Sequence, residues 1–170
     1  MPLELPALTE ADFTGCALPE GQHLEEYLAR HHEIRALWQQ HVETLQALPR
    51  GLMHGDLSLT NFREWDGKLF LLGLDDACVG PLGGDLAWML FYAERIACPQ
   101  KRQRHRERAI RRYTSACREM GASLDEAQVS IAARAVYFKK WLFPGLGTQA
   151  NLEALAIRQR EALAFLEALD

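Results

Sequence analysis

Between Met53 and Met89 the chain reads MHGDLSLTNFREWDGKLFLLGLDDACVGPLGGDLAWM, with turn-forming and acidic residues at fixed offsets between two apolar runs. No other stretch restricts the fold as tightly. His54-Gly55-Asp56 is followed by Asn61, and an Asp-x4-Asn spacing lets one loop offer a carboxylate to a substrate hydroxyl and an amide oxygen to a metal ion. Phe62 to Trp65, the pair Asp66-Gly67 and Lys68 to Leu72 then read as a β-hairpin, because Asp-Gly supplies the positive φ angles that a two-residue loop needs. The hairpin ends at Gly73.

HGDLSLTN followed by LGLDDACVGPLGGDLAWML resembles the C-terminal lobe of the aminoglycoside phosphotransferase and choline kinase-like family, and within it the bacterial stress-response kinases. That branch reads HGDxHxxN and then VDLDDAxxGPxxxDLW. The matches are His54, Gly55, Asp56 and Asn61, then Leu74-Asp75-Asp76-Ala77, Gly80-Pro81 and Asp85-Leu86. The resemblance implies a mainly α fold with a small β-hairpin, the C-lobe of a kinase-like fold. It also implies Asp56 as the catalytic base, Asn61 as a magnesium ligand, and structural roles for His54 and Asp85, the latter receiving backbone N–H groups of the loop. One departure stands against these matches. The family's metal-binding aspartate falls twelve residues before the Asp-Leu pair, where this chain has Gly73. Asp75 or Asp76 would have to stand in for it. A strand continuing past Gly73 would point Asp75 to the same side but about 7 Å further along, so turn chemistry is the simpler role for the pair.

A complete kinase places a glycine-rich loop and a phosphate-contacting lysine ahead of the catalytic loop. Residues 1–52 contain no GxGxxG, no Val-Ala-x-Lys strand and no lysine. The resemblance therefore covers the C-lobe, roughly Leu24 to Leu169, with the N-lobe absent. Three functional readings follow. The chain is a degenerate, pseudokinase-like binding or regulatory module without cofactor; or an active phosphotransferase using magnesium and ATP, completed by a partner chain that supplies an N-lobe; or a helical protein that binds a polyanion or protein partner through a basic helix. The substrate is not legible, because acceptor specificity in this family comes from variable helices and loops.

Around this centre the chain reads as an irregular arm over residues 1–22 and a domain over 23–170. Apolar residues at Leu24, Tyr27, Leu28, Ile34, Leu37, Trp38, Val42, Leu45 and Leu48 predict a one-faced helix from His23 to Leu48. Pro49-Arg50-Gly51 stops it. His31, His32 and His41 are expected on its surface. Asp85 is the natural N-cap of a helix so apolar that it is buried on most sides, with Gly83-Gly84 allowing close backbone approach and Cys98-Pro99 ending it. Lys101 to Arg118 holds eight basic residues against Glu107, leaving 11 basic and 22 acidic residues for the rest of the chain. Nucleic acid is the weaker partner for this helix, since only Tyr113 on its apolar stripe could stack on a base. Ser123 and Glu126 form a capping-box pattern for a helix reaching about Phe143. Pro144-Gly145-Leu146-Gly147 breaks the chain before a last helix over Ala150 to Leu169.

At 170 residues, 48% hydrophobic and 25% charged, the chain can build one cored domain but not two kinase lobes. No run approaches the roughly 18 apolar residues of a membrane span, and the acidic amino terminus lacks signal-peptide order, so a cytoplasmic protein is expected. Cys16, Cys78, Cys98 and Cys117 have neither CxxC pairing nor zinc-ligand spacing.

Overall fold

The computed structural model describes residues 4–7, 9, 11, 24–92, 98–143 and 152–167. Most of the amino-terminal arm, Cys16 and the predicted break at 144–147 lie outside the described residues. In chain order the elements are α1 (Leu24–Ala47), β1 (Arg50–Met53), β2 (Phe62–Trp65), β3 (Lys68–Leu71), β4 (Cys78–Pro81), α2 (Leu86–Tyr92), α3 (Pro99–Glu119), α4 (Glu126–Tyr137) and α5 (Leu152–Glu167). The chain is mainly helical, with two small antiparallel sheets. It divides into two compact units, one of Leu45–Tyr137 and one of Pro2–Thr44 with Phe138–Asp170.

In the first unit the expected hairpin is present. β2 and β3 pair with Phe62 opposite Leu71 and Trp65 opposite Lys68. Asp66 and Gly67 both have positive φ, 51° and 65°, which matches the twist of the flanking strands. The sequence reading missed a second sheet. β1 pairs with β4, Arg50 opposite Pro81 and Met53 opposite Cys78. Both strands are four residues long and rich in glycine, so they carry no alternation to read, and 24 residues separate them. Glycine is needed here for space. A Cβ on Gly80 would overlap the sulfur of Met53, and one on Gly84 would lie 2.7 Å from Val136 Cγ2 and 2.9 Å from Met53 Sδ.

The strand does not continue past Gly73. β3 ends at Leu71, Gly73 takes the left-handed conformation (φ 75°, ψ 60°), and Leu74–Asp76 forms one 3₁₀ turn. The alternation argument that set Asp75 about 7 Å along a strand therefore does not apply, because a positive-φ residue redirects the chain before Asp75 is reached.

Helices α2, α3 and α4 close this unit around Leu86, Leu90, Cys117, Leu124, Val129 and Ala133, all buried together. Burying a large aliphatic side chain stabilises by roughly 1.5–3 kcal/mol, so this cluster anchors the turn that precedes α2. Gly83 makes the close approach possible, since a Cβ there would stand 2.9 Å from Val129 Cα. The cap of α4 differs from the expected Ser123 and Glu126. Asp125 Oδ1 accepts from Gln128 N–H at 2.8 Å while Gln128 Oε1 accepts from Asp125 N–H at 3.0 Å. A charged carboxylate is the stronger acceptor for exposed helix N–H groups. The shift by two residues also places Leu124 and Val129 at the positions of a hydrophobic staple, and both are buried.

The second unit is built on aromatic contacts. Tyr27, Ile34 and Trp38 of α1 are buried; Trp38 stacks on Phe138 at 5.1 Å between ring centroids, and Phe138 on Phe165 at 6.2 Å. His31 was expected on the surface and is instead 1% exposed. It lies four residues after Tyr27 and three before Ile34, on the apolar stripe itself, with Nε2 3.3 Å from the Pro6 carbonyl and its ring 5.4 Å from that of Phe143. His32 is exposed and His41 half-buried. In α5 the buried face holds Ala156, Gln159, Ala162 and Leu166, and Gln159 Nε2 donates to the Tyr27 carbonyl at 2.9 Å. The predicted single helix to Phe143 changes character at its end: residues Phe138–Leu142 form a π turn, with Phe143 N–H donating to Phe138 O at 2.8 Å. Among the described residues no helix is long and apolar enough to cross a membrane.

Candidate active site

The loop between β1 and β2 is held from three sides. Asp85, at the end of the turn that leads into α2, accepts the His54 N–H through Oδ2 and the Gly55 N–H through Oδ1, both at 2.9 Å. Its carboxylate thus serves the loop, while the N–H groups of Leu86 and Ala87 go to the carbonyls of Gly83 and Gly84 at 3.0 Å. From the second side, the 3₁₀ turn after the hairpin packs on Gly55. This residue has φ 83°, and a Cβ on it would overlap the Asp76 carbonyl oxygen, so glycine is required by both conformation and space.

His54 provides the third support. Its Nε2 lies 2.8 Å from the Leu72 carbonyl and its Nδ1 accepts the Asp56 N–H at 3.3 Å. A carbonyl can only accept and a backbone N–H can only donate, so the ring carries its proton on Nε2 and leaves Nδ1 bare. The side chain is buried. It couples the residue before Gly73 to the residue that bears the candidate catalytic carboxylate. Leu72 is held a second time, its N–H donating to the Asn61 carbonyl at 2.9 Å.

Asp56 and Asn61 lie on one loop and touch. Asn61 Nδ2 donates to the Asp56 carbonyl at 2.7 Å and to Asp56 Oδ2 at 3.0 Å. One carboxylate oxygen is thereby oriented, and the side chain is half-buried. With its NH2 group engaged, Asn61 turns Oδ1 towards Gly73, and a Cβ on Gly73 would lie 3.0 Å from that oxygen. Asp75 and Asp76 follow on the exposed 3₁₀ turn. Among the described residues no hydrogen bond joins Asp75 to Asp56 or Asn61, and no group of three His, Cys, Asp or Glu side chains could hold a metal.

Magnesium asks for near-octahedral oxygen coordination and is held by one or two carboxylates together with substrate phosphates. Asn61 Oδ1 and Asp56 supply an amide oxygen and one carboxylate, and the neighbouring position that could add a second carboxylate is bare at Gly73. These donors do not make a complete magnesium site.

Sequence reasoning missed the main-chain parts of this arrangement. Leu72 acts through its carbonyl and N–H, and Asp76 through its backbone, so no side-chain pattern announces either. Tyr113 of α3 has a structural contact that its sequence position does not announce: its hydroxyl accepts the Gly83 N–H at 3.0 Å. Burial raises its phenol above the ordinary 10.0, opposed in part by that hydrogen bond.

The model of the APH phosphotransferase enzyme family matches residues 6–125, which include the loop, both sheets, Asp85 and α3. The chain belongs to the phosphotransferase enzyme family. Within this phosphotransferase family the loop holding Asp56 and Asn61 sits in a kinase-like, mainly helical setting. No curated protein and no solved structure matches the chain.

Proposed function

We propose that this phosphotransferase homologue is a degenerate, pseudokinase-like module that keeps the shape of a catalytic C-lobe and does not transfer phosphate by itself. One observation carries the reading: the Asn61 amide oxygen faces Gly73, where a second metal carboxylate would stand. Phosphoryl transfer relies on positioning and on cations that neutralise the phosphates. A site with one carboxylate beside one amide lacks that neutralisation. Asp56 then serves to order the loop, and the module binds or regulates.

Calorimetric titration with magnesium and ATP tests this. No measurable binding is expected. A magnesium-dependent ATP complex that disappears in Asn61→Ala would overturn the reading.

A second reading has its own support. Leu52 and Val79, cross-strand partners in the β1–β4 sheet, are 81% and 58% exposed, and the hairpin exposes Trp65, Leu69 and Leu72. Exposed apolar side chains of this size mark interaction surfaces when they cluster. A partner lobe that covers them and supplies a glycine-rich loop would complete an ATP-dependent enzyme with Asp56 as base. Co-purification with the product of an adjacent reading frame encoding such a lobe, and transfer activity of the pair lost in Asp56→Asn, would favour it. Inactivity of that reconstituted pair would sink it.

A further inference from the structure

We propose that the groove between α2 and α3 binds organic phosphates, small molecules that join a phosphate group to an apolar body. The groove has a volume of about 550 Å³ and is lined by Leu86 and Met89 of α2 and by His105, Arg108, Ala109, Arg112 and Tyr113 of α3. A volume of this size lies within the range of small-molecule sites, roughly 300–1,000 Å³.

Its lining is partly basic and partly apolar. His105, Arg108 and Arg112 are spaced i, i+3, i+7, so they share one face of α3 over about 10 Å, with the two guanidinium charges one turn apart. Ala109 and Tyr113 continue that face beside Leu86 and Met89 as an apolar floor. All three basic side chains are exposed. Other arginines of this helix are already engaged: Arg106 with the Leu90 carbonyl, Arg118 with the Leu124 carbonyl, and Arg111 with Glu126 at 4.0 Å. Arg108 and Arg112 have no ion pair or side-chain hydrogen bond among the described residues. Two guanidinium groups one helical turn apart, with their donors uncommitted, suit the oxygens of one phosphate, which accepts paired N–H donors and is close to dianionic at neutral pH. A carboxylate offers half that charge, and a bare phosphate leaves the apolar floor unused.

The floor is tied to the candidate active site through one residue. Tyr113, whose ring lines the groove, holds the Gly83 N–H in the turn that carries Asp85. The inference nevertheless stands apart from any phosphotransfer, since no residue of the loop lines the groove.

Binding of 1-naphthyl phosphate to the full chain, measured by calorimetry, tests the assignment. Saturable one-site binding is expected, with inorganic phosphate and 1-naphthol each weaker by about tenfold or more. The double variant Arg108→Gln/Arg112→Gln should lose at least about tenfold in affinity, the loss of one or more hydrogen bonds to a charged group. Lys101→Gln/Arg104→Gln removes the same charge from exposed positions that do not line the groove and should stay within about twofold of the natural chain. Absence of saturable binding overturns the proposal. So does an equal loss in both double variants, inorganic phosphate binding as tightly as the naphthyl ester, or a heparin oligosaccharide outcompeting it, the last of which would mark a polyanion surface instead.

Discussion

Met53, His54, Gly55 and Ser58 are buried, whereas every residue from Arg63 to Ala77 is exposed, although only residues 59–62 lie between the two stretches. The loop owes its shape to hydrogen bonds that Asp85 and the Leu72 carbonyl accept and Asn61 donates, and to the contact of Gly55 with Asp76. The hairpin owes its shape to its own turn and ladder, with Trp65, Leu69 and Leu74 open to solvent. The difference teaches where information for each is stored. A loop fixed by tertiary contacts is sensitive at every anchor; a hairpin fixed by local turn chemistry tolerates change at its exposed positions.

Removing the main anchor should do the most damage. Asp85→Ala leaves the N–H groups of His54 and Gly55 without an acceptor, and each buried orphan costs about 1–3 kcal/mol. A loss of roughly 2–5 kcal/mol in chemical denaturation is expected, with Asp85→Asn recovering part of it. An unchanged midpoint would mean that the loop does not depend on α2.

Gly55→Ala comes next. The substitution meets both a left-handed backbone and the Asp76 carbonyl, for an expected cost of about 2–4 kcal/mol. Gly67→Ala is its counterpart in the hairpin, also at positive φ but with nothing within 4 Å of the new Cβ, so only the conformational part, roughly 1–2 kcal/mol, should be lost. Equal losses in the two variants would erase the distinction between a packed loop and a free-standing turn.

Gly73→Asp probes the meeting point of the two regions. Aspartate is among the residues best tolerated in the left-handed region, so the stability cost should be near 1 kcal/mol. The new carboxylate would stand beside the Asn61 amide oxygen, and titration with magnesium and with manganese should reveal modest affinity that the natural chain lacks. Negligible binding by both forms would remove Gly73 from the role given to it here.

The smallest effect belongs to the hairpin tip. Trp65 is 77% exposed, and Trp65→Ser should change the denaturation midpoint by no more than about 0.5 kcal/mol. A larger loss would show that the tip packs on something.

Much of this was legible in the sequence because it is written in local patterns. Asp66-Gly67 specified the turn, the 3.6-residue rhythm specified α1, and the offset of Asn61 from Asp56 put both on one loop, where a hydrogen bond of 3.0 Å joins them. What escaped has physical reasons. The β1–β4 pairing depends on residues far apart in the chain, and its strands have no alternation because glycine is needed for Met53. Ser123-x-x-Glu126 and Asp125-x-x-Gln128 both fit a capping box, and only the packing of Leu124 against the core chooses between them. The burial of His31 is itself legible, since its place on the stripe between Tyr27 and Ile34 is visible in the sequence.

The π turn at Phe138–Leu142 bears on how this chain can change length. In an α-helix each residue advances the chain by about 100°, so one inserted or deleted residue swings every later side chain to a different side. A wide turn takes up one surplus residue locally. Phe138, stacked on Trp38, and Phe143, beside His31, stand at the two ends of that turn. Loss of a single residue between them, for example Lys140, should therefore convert the turn to ordinary i→i+4 pairing while both rings keep their neighbours. In a relative one residue shorter, this is where the gap in an alignment belongs.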